Sequence, residues 1–90
     1  MREDHTYMLY AALASRLGVE THELRSAQHL AHDLGLTPLE LIRLVTELEQ
    51  SLAREFPVER LEGVTTLAEL QREFLAWLQE GEFRRLVPAD

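Results

Sequence analysis

The stretch "HDLGLTPLELIRLV", residues 32–45, runs from a turn straight into an apolar helix, with Pro38 at the join. Locally, Thr37-Pro38-Leu39-Glu40 makes a complete helix start. Thr37 supplies the hydroxyl an N-cap uses, and Glu40, three residues on, completes a capping box. Proline suits the first helical position, where its missing N–H has no partner in any case. It also drives the preceding residue toward the extended dihedrals of an N-cap. The spacing predicts a helix from about 38 to 53. Its apolar stripe is expected at Ile42, Val45, Leu48 and Leu52, widened by Leu44.

Two further segments carry the same periodicity. Leu9, Leu13 and Leu17 recur at i, i+4, i+8 over residues 5–17, and Gly18 follows as a C-terminal cap. Leu67, Leu70, Phe74, Leu75 and Leu78 place a third helix over about 66–80, with Trp77 alongside and Thr66–Glu69 repeating the capping signature. Thr65 competes with Thr66 for that cap. The intervening "FPVERLEGVTT" has room for one short helix around 58–62 before Gly63 breaks it. Residues 18–36 form a long connection with its own apolar anchors, Val19, Leu24, Leu30 and Leu34. A connection of that length in a compact domain is expected to be packed down or functional. No run of residues alternates at period two, so no strand is expected.

Composition narrows the function. Ninety residues suit one domain, 1–90, with about 81–90 expected as a C-terminal tail in which Phe83, Leu86 and Val87 offer at most a last amphipathic turn. The chain has no cysteine, which excludes disulfides, thiolate metal sites and a cysteine nucleophile. A net charge of −7 disfavours nucleic acid, whose backbone is met by cations. All nine basic residues are arginine, so Schiff-base chemistry is excluded as well. No apolar run approaches the roughly 20 residues of a membrane span. "MREDHTY" lacks the apolar core of a secretion signal, and a cytoplasmic location is the default expectation.

Several short motifs align jointly with a known pattern. "LGV" at 17–19 closes the first helix, "DLG" at 33–35 precedes the second, and "LELIRLVTELEQSL" at 39–52 forms it. Pro57 and "VTTL" at 64–67 lead into the last helix. In this combination the chain resembles the acyl carrier proteins of fatty-acid and polyketide synthesis. The resemblance implies an all-α fold, a small bundle of three long helices and one short helix with a long first loop. It also implies a serine two residues after "DLG" and an intervening residue, carrying a phosphopantetheine arm. Here Thr37 stands in place of the family's aspartate and Pro38 in place of its serine. Proline has no side-chain nucleophile, so no phosphodiester forms there and no cofactor is expected. Thr37 is a secondary alcohol displaced by one residue and committed to capping. Ser26 and Ser51 do not lie at a helix start.

The resemblance further implies docking of partner enzymes on the outer face of the second helix. Glu40, Glu47 and Glu49 keep its acidic character, whereas Arg43 falls where the family usually carries an acid. Leu41, one position off the buried stripe, and Leu36, just before the helix, are expected to form a small exposed apolar patch. Exposed leucines are also common without any function. Ile42, Val45, Leu48, Leu61 and Leu67 are expected to line an acyl pocket like the one the family uses, or simply to pack as core.

His29 and His32, with Asp33 adjacent, fall short of the three or four ligands a metal needs and are expected as solvated loop residues. No phosphate loop, GxSxG or HExxH is present, so no catalytic residue is assigned. Three readings follow. The first is a carrier-like, non-catalytic interaction module for protein partners of acyl or polyketide assembly. The second is a noncovalent lipid binder, and the third an unrelated helical adaptor.

Overall fold

A computed structural model of the chain describes residues 5–86, and side chains through residue 80. Three long helices carry the fold: α1 (His5–Leu17), α2 (Pro38–Leu52) and α3 (Leu67–Leu86). Short 3-10 turns interrupt the two connections, at Thr21–Glu23 and Val58–Leu61. Among the described residues there is no strand, only an isolated antiparallel bridge between His29 and Thr66.

The capping chemistry sets the helix limits. Gly18 takes φ +71, and its N–H and that of Val19 both donate to the carbonyl of Ala14, closing α1. At α2, Glu40 N–H donates to Thr37 Oγ1 at 3.1 Å while Thr37 N–H donates to Glu40 Oε1 at 3.0 Å. Thr66 and Glu69 make the same reciprocal pair before α3, at 3.2 and 3.0 Å. Thr65 joins it, donating its N–H and its hydroxyl to Glu69. Three donors on one carboxylate favour its charged form, and the Glu69 pKa is lowered to about 2 from the ordinary 4.5. The backbone N–H groups of Thr65 and Thr66 contribute most.

The core gathers Leu9 and Leu13 of α1, Leu44, Val45 and Leu48 of α2, and Leu67, Leu70, Phe74 and Trp77 of α3. Full burial of a leucine or phenylalanine side chain contributes about 1.5–3 kcal/mol each. Leu24, Leu30 and Leu36 complete the core from the long connection, and Phe56 from the second. Polar contacts join the helices across it. Arg16 pairs with Glu47 at 3.5 Å between α1 and α2, and the Tyr10 hydroxyl donates to Gln71 Oε1 at 3.2 Å between α1 and α3.

Four expectations change. The stripe on α2 is turned by one residue: Leu41 packs partly against the core and Ile42 is 41% exposed. Leu36 is not an exposed patch residue but is 5% exposed, because its N–H donates to Leu30 O at 2.9 Å and folds its side chain inward. α3 continues past Gly81 to Leu86, so the expected tail begins after the helix, and Val87 lies outside the described residues. His29 is half-buried: its Nδ1 accepts from the N–H groups of Ala31 and His32, at 3.2 and 3.1 Å. The exposed His32 ring lies 4.3 Å from it, centroid to centroid.

A candidate docking groove beside Pro38

The start of α2 and the 58–61 turn face each other across an open groove of about 450 Å³. Thr37, Pro38, Leu41 and Ile42 form one wall, and Val58, Leu61 and Glu62 form the other. Leu30, Leu36 and Val64 close the floor, with His29 and Thr65 as its few polar neighbours. Of the four large apolar residues left exposed among the described residues, Ile42 and Val58 line this groove. Leu39, 57% exposed, follows Pro38 on the outer face of α2, and Tyr7 on α1 is the fourth. A groove floored by buried leucines and lipped by exposed aliphatics accepts an apolar group from outside.

The polar side chains at the start of α2 are already engaged. The Thr37 hydroxyl caps α2, and its partner Glu40 is held by the same box. The residue at the first position of the helix, Pro38, is exposed and offers neither hydroxyl nor N–H. A phosphopantetheine arm joined through a side-chain oxygen therefore does not fit at Pro38, where there is no oxygen to bond.

The structure separates the residues expected from the sequence. Ile42 and Leu61 reach the groove, whereas Val45, Leu48 and Leu67 are buried behind it. Glu40, Arg43 and Glu47 are exposed on α2. Glu49 is half-buried, and its Oε2 accepts the Phe56 N–H at 2.6 Å, so it serves the local fold. Leu41 contributes to the wall and not to the outer face. Pro38, Val58, Leu30 and Val64 were missed as groove residues. The short helix expected at 58–62 was the available signal for Val58.

At the far end of α2 lies a larger cleft, about 700 Å³, edged by Glu49, Glu55, Glu59 and Glu80. Its centre is a structural joint. Arg54 lies 4.3 Å over the Trp77 ring and donates to the Trp77 carbonyl at 2.8 Å. Trp77 Nε1–H donates to Glu55 O at 2.8 Å, and Phe56 meets the indole edge-on at 5.0 Å. With these groups satisfied by one another, the smaller apolar groove is the better candidate site.

Comparisons with known proteins agree with this architecture. A family model described as "Phosphopantetheine attachment site" matches residues 9–73. An acyl carrier protein of Rubrobacter xylanophilus is 34% identical over 68 residues, spanning 76% of this chain and 84% of the relative. One from Prochlorococcus marinus is 29% identical over 68 residues, spanning 76% and 85%. Among solved structures, one described as an acyl carrier protein from Mycobacterium tuberculosis superposes with a TM-score of 0.68 at 22% identity, covering 79% of this chain and 95% of that one. That last likeness concerns the fold alone. The chain belongs to the acyl carrier protein family, within the wider group of phosphopantetheine attachment domains. The family comprises carriers, not catalysts, and the chain is not an enzyme. None of the helices among the described residues is long and apolar enough to cross a membrane.

Proposed function

We propose that this chain is a carrier-like docking module that holds no phosphopantetheine arm. It would act in the cytoplasm on protein partners of acyl or polyketide assembly. The observation that carries the reading is Pro38 at the first position of α2. The family's attachment chemistry needs a hydroxyl there, and the adjacent Thr37 hydroxyl is an acceptor within its own cap. What remains is the outer face of α2, with Leu39 and Ile42 exposed beside Glu40, Arg43 and Glu47. Exposed aliphatics give a contact its affinity, and the surrounding charges set encounter rate and partner choice.

The direct test is the mass of the denatured protein after co-expression with a phosphopantetheinyl transferase. The parent chain is expected unmodified, while Pro38→Ser is expected to gain one arm. An arm on the parent chain would overturn the reading. Docking is tested by capture of carrier-handling enzymes, which Leu39→Arg should reduce. If no such enzyme is captured, or Leu39→Arg changes nothing, the docking role fails.

A second reading, noncovalent binding of an acyl chain, is supported by the groove itself, since Ile42, Leu61 and Val64 line it with aliphatic surface. Extra mass present in the native spectrum and absent from the denatured one would favour it. A parent chain without such mass, and without a thermal shift on adding fatty acid, would set it aside.

A further inference from the structure

The starts of α2 and α3 are capped by hydroxyls, on Thr37 and Thr66. The turn over residues 30–34 is capped by an imidazole. His29 Nδ1 accepts the N–H of Ala31 at 3.2 Å and that of His32 at 3.1 Å, while the His29 N–H donates to Asp33 Oδ2 at 2.7 Å. The pattern is that of a helix cap, with His29 where serine, threonine, aspartate or asparagine is the usual choice. An imidazole nitrogen accepts only while it carries no proton. These two bonds therefore require the neutral ring with its hydrogen on Nε2.

The capped turn carries the floor of the groove. The His29 carbonyl accepts from Asp33 N–H at 2.9 Å and from Leu34 N–H at 3.1 Å. Leu30 N–H donates to Thr65 O at 2.8 Å, Leu36 N–H returns to Leu30 O at 2.9 Å, and both leucines are buried. His29 itself lines the groove and bridges to Thr66 before α3. A proton on Nδ1 sets an N–H against two other N–H groups, at the point where the long connection is sewn to α3. The ionisable neighbours then draw the ring out of the cap. Asp33, on the same turn, offers the imidazolium a carboxylate, and His32, whose ring lies 4.3 Å away, repels it when also charged. Glu62 stands in the opposite wall. Glu69 and Glu40, at the starts of α3 and α2, are held in the boxes with Thr65, Thr66 and Thr37.

We infer that His29 is an acid-sensitive cap: neutral, it fixes the turn that presents Leu30 and Leu36 to the groove, and protonated at Nδ1 it releases that turn. The groove has its floor in place at neutral pH and loses it in mild acid. The inference concerns regulation of the groove proposed above as the docking site, and it rests on that reading for its purpose.

Amide hydrogen exchange, corrected for the intrinsic effect of pH on exchange, reads the cap without any partner. Lowering pH from about 8 to about 5, the range in which histidine takes up a proton, is expected to reduce protection of the Leu30 and Leu36 amides. The expected loss is roughly tenfold, as for one or two hydrogen bonds. Leu44 and Leu48, inside α2, should keep their protection. His29→Asn and His29→Ser each retain an acceptor that does not titrate, and either is expected to flatten the profile. His32→Gln leaves the cap in place and should preserve most of the pH dependence. Protection of Leu30 and Leu36 that ignores pH in the parent would overturn the inference. So would an equal loss at Leu44 and Leu48, a dependence that persists in both His29 variants, or one abolished by His32→Gln. Because no partner is bound, these results stand apart from the docking test with Leu39→Arg, which can fail or hold by itself.

Discussion

The two long connections of this molecule are held by different means. Residues 18–37 form the longer one, yet it is stitched to the start of α3 by backbone. Leu30 N–H donates to Thr65 O at 2.8 Å, Leu67 N–H to Gln28 O at 3.0 Å and Ala68 N–H to Ser26 O at 2.8 Å. Leu24, Leu30 and Leu36 then carry it into the core. The shorter connection, up to that seam at Thr65, leans on side chains: Phe56 against Trp77, Arg54 on the indole, and Arg60 on two glutamates. Length does not decide how firmly a segment is fixed. What matters is whether its backbone groups find partners in another element. The groove lies where these two kinds of attachment meet, with a stitched floor and one lightly held wall.

The contrast is open to direct attack. The severest change is Trp77→Ala, which removes the anchor of the shorter connection together with the partner of Phe56 and the platform under Arg54. A loss of about 3–5 kcal/mol is expected in urea unfolding. A loss below about 1 kcal/mol would mean the shorter connection is held by something else. Leu30→Ala tests the longer one and is expected to cost about 2–4 kcal/mol, because the cavity it leaves forms the groove floor. Phe56→Ala and Leu30→Ala measured side by side would rank the two connections.

Smaller effects sharpen the picture at the helix starts. Thr37→Ala removes the hydroxyl that caps α2 and should cost about 1 kcal/mol without altering the core. Glu69 gives a pH signature. Its folded pKa lies below its unfolded value, so its contribution is fully present above about pH 4.5 and is lost as pH falls through about 2. Compared with Glu69→Gln, the parent should be more stable at neutral pH, and the difference should shrink across that window. A difference that does not change with pH would show that the three donors from Thr65 and Thr66 do not favour the charged carboxylate.

Residues that act on their sequence neighbours were the legible ones. Gly18, the Thr37-Pro38-Glu40 box and the Thr66–Glu69 pair all work within a few residues, and they fixed the ends of α1 and the starts of α2 and α3. Orientation was harder. Leu41 and Ile42 sit about 100° apart on a helix, and each continues a plausible stripe through Val45 and Leu48. The choice depends on where the long connection and the 58–61 turn pack, which no local pattern records. Leu36 is buried for the same reason, through its bond to Leu30. The apolar spacing of the last helix stops near residue 80, yet α3 runs on to Leu86, because a single glycine such as Gly81 weakens a helix without stopping it. At the groove, Pro38 was plain from the sequence as a residue without a hydroxyl. Val58 became a groove residue only once the two walls were seen to face each other.

The His29–Thr66 bridge has a consequence for the order of folding. It joins residues 37 positions apart, and the whole of α2 and the 58–61 turn lie between them. Closing so long a segment costs entropy that only long-range contacts return, so the bridge forms after the helices have begun to assemble. Leu30 and Thr65, which flank the bridge and line the groove, take their places at that late step. A chain emerging from synthesis is therefore expected to form its helices before its groove, so that anything occupying the groove would meet only the finished molecule.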